Sequence, residues 1–398
     1  MFACNYKKLE YNISMDYKDK VELKLKEVQE KLKNKKDIYV LGIESSCDET
    51  SIAVIKNGRE VFSNIISSQI EIHKRFGGVV PEVASRNHVL CINNVLDESM
   101  QKANETIIIN REKELGRELT EQEKIDCKFT LNNLDAICVT YGAGLVGALM
   151  VGVSFAKSLA YSLGLPLVGV NHIKGHIAGN YISHLELEPP FICLVVSGGH
   201  TAILRIDDYL NHTLIGETLD DAIGEAFDKV ARVVGLGYPG GPKIDKLAKI
   251  GQNNIEFMHK SHLDKTYNVS YSGLKTAVIN YVHKLEQKGE KPNVEDLCAS
   301  FEHEAVDMLV EKAVRATINY GFKKIAMAGG VAANSYLREK LTIEANKQGI
   351  EVYYPPLSLC TDNAAMIGCC GYYDLINNYS IADLTLSPDP SLKLSKGK

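Results

Sequence analysis

The stretch that decides the fold is Phe191-Ile-Cys-Leu-Val-Val-Ser-Gly-Gly-His-Thr-Ala-Ile-Leu-Arg-Ile206, which follows Pro189-Pro190. Two apolar runs flank Ser197-Gly-Gly-His200, and this pattern predicts two strands joined by a hairpin. A third strand pattern runs from His212 to Gly216. The same order, three strand patterns followed by alternating helical and strand patterns, already occurs once from Ile38 onwards. The chain therefore predicts a duplicated α/β fold.

The strand bounds in both halves come from apolar runs bordered by turn residues. The expected strands are Ile38 to Ile43, Ser51 to Ile55, Glu60 to Ile66 and Leu165 to Val170 in the first half, and Phe191 to Val196, Thr201 to Ile206, His212 to Gly216, Lys324 to Ala328 and Glu351 to Tyr354 in the second. Such a duplication is typical of the actin-like, Hsp70-like and sugar-kinase-like ATPase fold, with two lobes around a nucleotide cleft. In that fold the first hairpin loop of each half, here Glu44 to Thr50 and Ser197 to Thr201, is expected to point into the cleft.

The domain organisation follows from the same order. We expect an N-terminal lobe over residues 37–189 with a charged insertion at 102–133, and a C-terminal lobe over 190–398 with a helical insertion at 222–320. Residues 1–36 precede the first strand and contain ten lysines and six acidic residues. Apolar residues recur there at helical spacing, at Val21, Leu25, Val28 and Leu32. This segment therefore predicts an N-terminal helical extension that nucleotide binding does not need.

Composition restricts the class of protein. The chain has 398 residues, of which 45% are hydrophobic and 24% charged, values that are ordinary for a globular protein. We find no apolar run of membrane-spanning length and no signal-peptide core, which favours a cytoplasmic protein without a membrane partner. The ten cysteines form no Cys-x-x-Cys pair, so buried reduced thiols are expected. A net charge of −5 argues against a globally basic nucleic-acid binder, so RNA would have to meet a local basic patch or a partner's surface.

A metal site is indicated by Val168-Gly-Val-Asn-His-Ile-Lys-Gly-His176, in which an apolar strand pattern leads into a helix. The i, i+4 spacing places His172 and His176 on one helical face. Two solvated histidines on an amphipathic helix would show the same spacing. However, Asp362 also follows an apolar run and precedes a helix of small residues. These three side chains predict a site with two His ligands, one carboxylate and open coordination positions.

Two hairpin loops carry further polar groups. Ser197-Gly198-Gly199 lies between two strands, where glycines let the backbone approach a phosphate and present N–H groups to it, although glycine-rich hairpins are common without that role. The other loop carries the acidic pair Asp48 and Glu49. Adjacent residues of a strand point to opposite faces, so we expect one of the two to face a reaction and the other to support the loop.

From Ile38 to about Gly371 the chain resembles the tRNA adenosine threonylcarbamoyltransferases of bacteria, the TsaD family. The two-histidine segment belongs to this resemblance. The other segments that carry it are Gly42-Ile-Glu-Ser-Ser-Cys-Asp-Glu-Thr50, Phe76-Gly-Gly-Val-Val-Pro-Glu-Val-Ala-Ser-Arg-Asn-His88, Val195-Val-Ser-Gly-Gly-His-Thr201, Gly216-Glu-Thr-Leu-Asp-Asp-Ala-Ile-Gly-Glu-Ala-Phe-Asp-Lys229, Tyr238-Pro-Gly-Gly-Pro242, Tyr271-Ser-Gly-Leu-Lys-Thr276 and Ala328-Gly-Gly-Val-Ala-Ala-Asn334.

The resemblance implies an activity and a set of site residues. It implies transfer of the threonylcarbamoyl group from threonylcarbamoyl-AMP to the exocyclic amine of adenosine 37 in tRNAs that read codons beginning with A. It implies iron or zinc at His172, His176 and Asp362, and Asp48 as the group that takes the proton of the amine, with Glu49 as the alternative. The substrate-binding residues that it implies are Val195, Val196, Ser197, Gly198, Gly199, Asp228, Gly241, Asp245 and Asn334.

The resemblance also implies partners, and other functions stay open on the same fold. The implied partners are tRNA, a smaller inactive paralogue (TsaB-like) and a small P-loop ATPase (TsaE-like). One alternative is an ATP-dependent small-molecule kinase, which would not need the two histidines. Another is a zinc peptidase, but no glutamate follows His172, where such enzymes carry their catalytic base. A third is a scaffold paralogue without metal, against which the presence of all three candidate ligands counts.

Overall fold

The computed structural model describes residues 15–257, 263 and 265–396, which pack as two units. The first unit comprises the residues up to 69, together with 81–178 and 363–392, and the second comprises most of the remainder. This division differs from a single cut after residue 189, because the helix Ala364–Ile376 packs on strands of the first unit. The expected character of residues 1–14 lies outside the described residues.

The strands of the described residues form two six-stranded sheets, one in each unit. In chain order they are β1 (Tyr39–Glu44), β2 (Glu49–Lys56), β3 (Glu60–Ser68), β4 (Ala136–Gly142), β5 (Leu167–Asn171), β6 (Phe191–Val196), β7 (Thr201–Ile206), β8 (His212–Glu217), β9 (Lys324–Ala328), β10 (Glu351–Tyr353), β11 (Ile381–Ala382) and β12 (Ser395–Lys396). Three of the expected strands, β6, β7 and β9, have the bounds predicted from sequence, and the others differ by a few residues at one or both ends.

The two sheets repeat one topology, which confirms the predicted duplicated α/β fold. Their strand orders are β11-β5-β4-β1-β2-β3 and β10-β9-β6-β7-β8-β12. In each half, three antiparallel strands come first. A fourth strand then pairs in parallel with the first, and a fifth strand pairs in parallel with the fourth. The short strands β11 and β12 extend opposite ends of this common order, β11 beside β5 and β12 beside β8.

Helices cover the sheets and connect the strands. Those of the described residues are α1 (Tyr17–Lys33), α2 (Ile70–His73), α3 (Pro81–Leu115), α4 (Glu121–Asp126), α5 (Val146–Leu163), α6 (His172–Ser183), α7 (Ile223–Val233), α8 (Gly241–Ala248), α9 (Ser272–Gln287), α10 (Val294–Asn319), α11 (Ser335–Asn346), α12 (Leu357–Cys360) and α13 (Ala364–Ile376). Helices α7 to α10 fall within the insertion at 222–320, which the sequence predicts to be helical.

The charged insertion at 102–133 is partly helical and contributes buried residues to the first unit. Helix α3 continues through its first part without interruption and ends at Leu115, before Gly116 in a left-handed conformation. Ala103 and Phe129 are buried in the core of the first unit. The segment thus has charged residues at the surface and a few apolar residues that face inward. Its charge density alone therefore does not predict that it packs on the core.

The predicted N-terminal helix is present as α1 and packs on the first unit, while the expectation that nucleotide binding does not need it stays a prediction. Val21 and Val28 are buried. Lys24 and Lys31 place their Nζ atoms 2.9 and 2.8 Å from Oδ1 of Asp135, a carboxylate with no exposed surface. Removing this helix would leave the buried carboxylate without either cation.

Helix α5 is long and apolar enough by composition to cross a membrane, so the prediction that no run reaches this length is wrong for it. One third of the helix is buried inside the protein. Its inward face carries Ala148, Gly152 and Ala156, and it packs on β4 and α3. The core helix of a soluble protein passes the same test of length and composition, so a single helix of this kind is weak support for a membrane protein.

Helix α13 lies directly against β1. A Cβ atom built on Gly42 of β1 would lie only 2.2 Å from the carbonyl oxygen of Ala364 at the start of this helix. Asn363 caps the helix by accepting a hydrogen bond from the N–H of Met366 at 3.1 Å. The glycine thus allows the close approach that places the chain just before α13.

Candidate functional site

The two histidines of the predicted metal site lie in the first turns of α6. Asn171, the last residue of β5, accepts hydrogen bonds from the N–H groups of Ile173 at 2.9 Å and Lys174 at 3.3 Å, and so starts the helix. The rings of His172 and His176 are 4.5 Å apart between centroids, and their planes lie at 78°. Both side chains are almost completely buried. The prediction that the two histidines share one helical face is confirmed. The alternative, in which both histidines are solvated, is wrong.

Asp362 joins the two histidines. One ligand atom from each of His172, His176 and Asp362 lies within 4.8 Å of the other two. Among the described residues this is the one group of three or more His, Cys, Asp or Glu side chains that is arranged in this way. Asp362 comes directly before Asn363, so the cap of α13 fixes its backbone near the start of that helix. Residues from two distant segments of the chain thus form the predicted cluster.

The chemistry of the donor set fits a transition-metal ion. Two imidazole nitrogens and one carboxylate oxygen are a donor set that both zinc and non-haem iron accept, with positions left for substrate or water. Nδ1 of His172 lies 3.1 Å from Oγ of Ser46 and 3.3 Å from Oε2 of Glu44, so Nε2 is the nitrogen that would bind a metal. His88 is not part of the cluster, because its two nitrogens lie 2.6 Å from Oγ1 of Thr50 and 3.0 Å from the carbonyl of Cys47.

The acidic pair lies where β2 begins, and its two members have different surroundings. Asp48 and Glu49 are both buried, with 7% and 9% of their surfaces exposed. Glu49 accepts a hydrogen bond from the hydroxyl of Ser68 at 3.0 Å. Within the described part of the chain, no hydrogen bond to the Asp48 carboxylate is present, while its backbone carbonyl accepts from Gln69 at 3.0 Å. The Asp48 carboxylate is therefore the less constrained of the two.

The glycine-rich loop of the second unit is a tight turn between β6 and β7. The N–H of Ser197 donates to the carbonyl of His200 at 2.8 Å, and the N–H of His200 donates to Oγ of Ser197 at 3.0 Å. Cβ atoms built on Gly198 and Gly199 would meet nothing within 4 Å, so the loop has open space beside it. The side chains of the preceding Val195 and Val196 are buried in the core, so these two residues can offer a ligand only their main chain.

A helix begins beside this loop. A Cβ atom on Gly224, in the first turn of α7, would lie 2.7 Å from the carbonyl oxygen of Ser197. Helix N-termini carry unsatisfied N–H groups and a partial positive charge, and they favour anions. The start of α7 and the open Gly198-Gly199 turn together form a surface suited to a phosphate group.

Asp228 and Gly241, both expected to bind substrate, lie close together at the start of α8. Oδ1 of Asp228 accepts a hydrogen bond from the N–H of Gly240 at 2.6 Å, at the start of α8. Burial raises the pKa of the Asp228 carboxyl, and backbone hydrogen bonds from Gly240 and Gly241 act in the opposite direction. The side chain therefore fixes the start of α8, which carries Asp245.

Asn334 and Asp245 meet at the start of α11. Oδ1 of Asn334 caps this helix by accepting from the N–H of Leu337 at 2.8 Å, and its Nδ2 donates to Glu302 at 2.6 Å. Asp245 accepts from the N–H of Ser335 at 3.0 Å. The side-chain oxygen of Asn334 thus serves as a helix cap, while one N–H of its amide group is not used by these bonds.

Glu302 is a buried carboxylate that the sequence alone does not single out. It lies inside the long helix α10, only 2% exposed, and touches the Asn334 amide group. Burial raises the pKa of its carboxyl to about 7. In the sequence, Glu302 could have been recognised as a carboxylate on the apolar face of a helix. That face also carries Cys298, Phe301 and Ala305, which are buried.

We expect Glu302 to make folding stability depend on pH. An acid whose pKa is raised from 4.5 to about 7 holds its proton more tightly in the folded state, so stability falls as pH rises through this window and then levels off. Relative to Glu302→Gln, the wild type should lose about 3 kcal/mol between pH 4.5 and pH 8. Urea unfolding across this range measures the difference. Parallel stability profiles for the two proteins would contradict the assignment.

The fold and these groups define a class: an actin-like ATPase fold that carries a cluster of two histidines and one aspartate. A solved structure agrees on the fold, namely HypF of T. kodakarensis, with a TM-score of 0.56, 15% identity, and coverage of 88% of this chain and 49% of that one. At this identity the similarity concerns the fold alone.

The family is settled by sequence. The family model described as "TsaD: tRNA N6-adenosine threonylcarbamoyltransferase" matches residues 60–108 and 117–369. A Clostridium perfringens protein named tRNA N6-adenosine threonylcarbamoyltransferase is 52% identical over 358 residues, covering 90% of this chain and 98% of its own. A Clostridium botulinum protein of the same name is 53% identical over 363 residues, with 91% and 99% covered. The chain belongs to the TsaD family of tRNA N6-adenosine threonylcarbamoyltransferases, so the predicted resemblance is confirmed.

Proposed function

We propose that this protein transfers a threonylcarbamoyl group from threonylcarbamoyl-AMP to the exocyclic amine of the adenosine just 3′ of the anticodon, in tRNAs reading codons that begin with A. The observation that carries the proposal is the convergence of His172, His176 and Asp362 in a chain of this family. A kinase on this fold would have no use for such a cluster. In the reaction, the amine nitrogen bonds to the carbamoyl carbon, the bond from that carbon to the phosphate oxygen breaks, and AMP leaves.

The donor nucleotide is assigned to residues of the second unit. The Ser197-Gly198-Gly199 turn and the start of α7 would take the phosphate, with Val195 and Val196 contributing through their main chain. For the ribose we assign Asp228, Gly241, Asp245 and Asn334. The spare N–H of Asn334 is a suitable donor for a ribose hydroxyl, and the carboxylate of Asp245 is a suitable acceptor.

The metal centre would be held by His172, His176 and Asp362, with iron or zinc as the ion. A bound ion of this kind supplies Lewis-acid polarisation of an oxygen of the donor. The chain's own contribution is to hold two buried histidines and a partly buried aspartate close together, where an ion's charge is poorly screened by water.

Asp48 is assigned as the base that takes the proton of the attacking amine. The nitrogen lone pair of adenosine is delocalised into the ring, so removal of a proton as the new bond forms helps the attack. The Asp48 carboxylate is buried and accepts no hydrogen bond within the described residues, whereas Glu49 is held by Ser68. This difference favours Asp48 for the reaction and Glu49 for supporting the loop.

The proposal includes partners and a compartment. A chain with a net charge of −5 must still hold a tRNA, whose binding requires neutralisation of phosphates. A smaller TsaB-like paralogue and a TsaE-like P-loop ATPase would complete the RNA surface and reset the site between turnovers. No disulfide bond joins the cysteines among the described residues, which suits the reducing cytoplasm.

Depletion of the protein in cells tests the proposed reaction. Mass analysis of tRNA nucleosides should show that threonylcarbamoyladenosine falls and unmodified adenosine accumulates at the same position. Wild-type protein should restore the modification and His176→Ala should not. Unchanged modification after complete depletion would refute the proposal.

A further inference from the structure

Glu44 is a completely buried carboxylate at the end of β1. Its Oε1 accepts a hydrogen bond from the N–H of Ser46 at 2.6 Å, and its Oε2 accepts one from Oγ1 of Thr140 at 2.5 Å. Two short bonds on different oxygens fix the orientation of the carboxylate. Both neighbours donate to it, which is the pattern expected of an ionised carboxylate, because such a group can only accept.

The same carboxylate faces the first histidine of the cluster. Nδ1 of His172 lies 3.3 Å from Oε2 of Glu44 and 3.1 Å from Oγ of Ser46. A carboxylate that only accepts favours an N–H at Nδ1, and the Ser46 hydroxyl can share that hydrogen as a second acceptor. The neutral ring then carries its lone pair on Nε2, which is the form that binds a metal.

We infer that Glu44 is a positioning residue for the metal centre: it selects the Nδ1–H tautomer of His172, holds the ring, and adds a negative charge beside the cation. The inference rests on the proposed function in one respect, namely that His172 is a metal ligand. Glu44 itself would not touch the ion. Its effect passes through the imidazole, as in the carboxylate–histidine pairs that orient the ligands of other metal sites.

The test is Glu44→Gln, which keeps the shape of the side chain. Its amide oxygen can still accept from Ser46, and its NH2 group then faces Nδ1 of His172 as a donor. A donor at that place moves the ring proton to Nε2 and blocks the metal-binding nitrogen. We expect the affinity for Zn²⁺, measured by competition with a chromogenic chelator on the purified full chain, to fall by about 10- to 100-fold.

Thr140→Val is the matched control. It removes the other donor to Oε2 of Glu44 and leaves the contact with His172 in place, so zinc affinity should change by less than about threefold. If both variants lost affinity equally, Glu44 would act by general support of the loop, and the positioning role would be refuted.

The tautomer gives a readout that does not depend on metal affinity. In the metal-free wild type, the ¹⁵N shifts of His172 should show hydrogen on Nδ1, and in Glu44→Gln they should show it on Nε2. If the variant does not fold, the wild-type spectrum alone tests the inference. Hydrogen on Nε2 of His172 in the wild type would overturn it. A wild type that binds no zinc would instead refute the proposed metal centre. Tight zinc binding with equal affinity in wild type and Glu44→Gln would refute the role of Glu44 alone.

Discussion

Replacing His172, His176 or Asp362 by alanine is expected to abolish stoichiometric metal binding and to reduce transfer far more than stability. The purified wild type should carry about one transition-metal ion per chain, because its three ligand atoms lie within 4.8 Å of one another. An open catalytic site with three protein ligands contributes less to folding than a closed structural one. Elemental analysis measures the metal, and thermal unfolding of the same samples measures stability.

A control for this result is His184→Ala. The ring of His184 lies 2.9 Å from the carbonyl of Tyr354 through Nε2, and it is not a member of the cluster. This variant should retain its metal. If wild type and all three ligand variants contained equal metal, the assigned centre would be wrong.

Removal of residues 1–36 is the change expected to affect stability most. It takes away Lys24 and Lys31, the two cations that pair with the fully buried carboxylate of Asp135. A buried ion pair that loses one partner typically costs about 3–5 kcal/mol, because the remaining charge stays desolvated. The N–H of Tyr39 still donates to Asp135 at 3.0 Å and offsets part of this loss. Urea unfolding of the truncated and full chains measures the difference.

The full-length double variant Lys24→Met with Lys31→Met separates the charges from the apolar packing of α1. It should show most of the loss, while Lys33→Met, at the exposed end of the same helix, should be nearly neutral. Equal stability of the truncated and full chains would contradict the packing of α1 on the first unit and favour a separable extension.

Local patterns in the sequence were sufficient to predict the repeated strands and the pairing of the two histidines. The bounds of β6, β7 and β9 follow from apolar runs that end at turn residues. The pairing of His172 with His176 follows from helical spacing, once Asn171 is recognised as the residue that starts the helix. Each of these features depends on neighbours only a few positions away in the chain.

Long-range pairings could not be predicted in the same way. Glu44 meets a histidine 128 positions later, Asn334 meets Glu302 across 32 positions, and Lys31 meets Asp135 across 104. No local sequence pattern predicts such contacts, because they form only when strands and helices pack together. For the same reason, the packing of α1 and the buried residues of the charged insertion differ from what their charge density suggests.

The most direct test of the proposed function is transfer by purified protein. Wild type and His176→Ala, each with threonylcarbamoyl-AMP, tRNA and the two proposed partner proteins, should be followed by mass spectrometry of the digested nucleosides. We expect threonylcarbamoyladenosine and released AMP in equal amounts with wild type, and neither above background with the variant. No modified adenosine with wild type, or equal modification with both proteins, would contradict it.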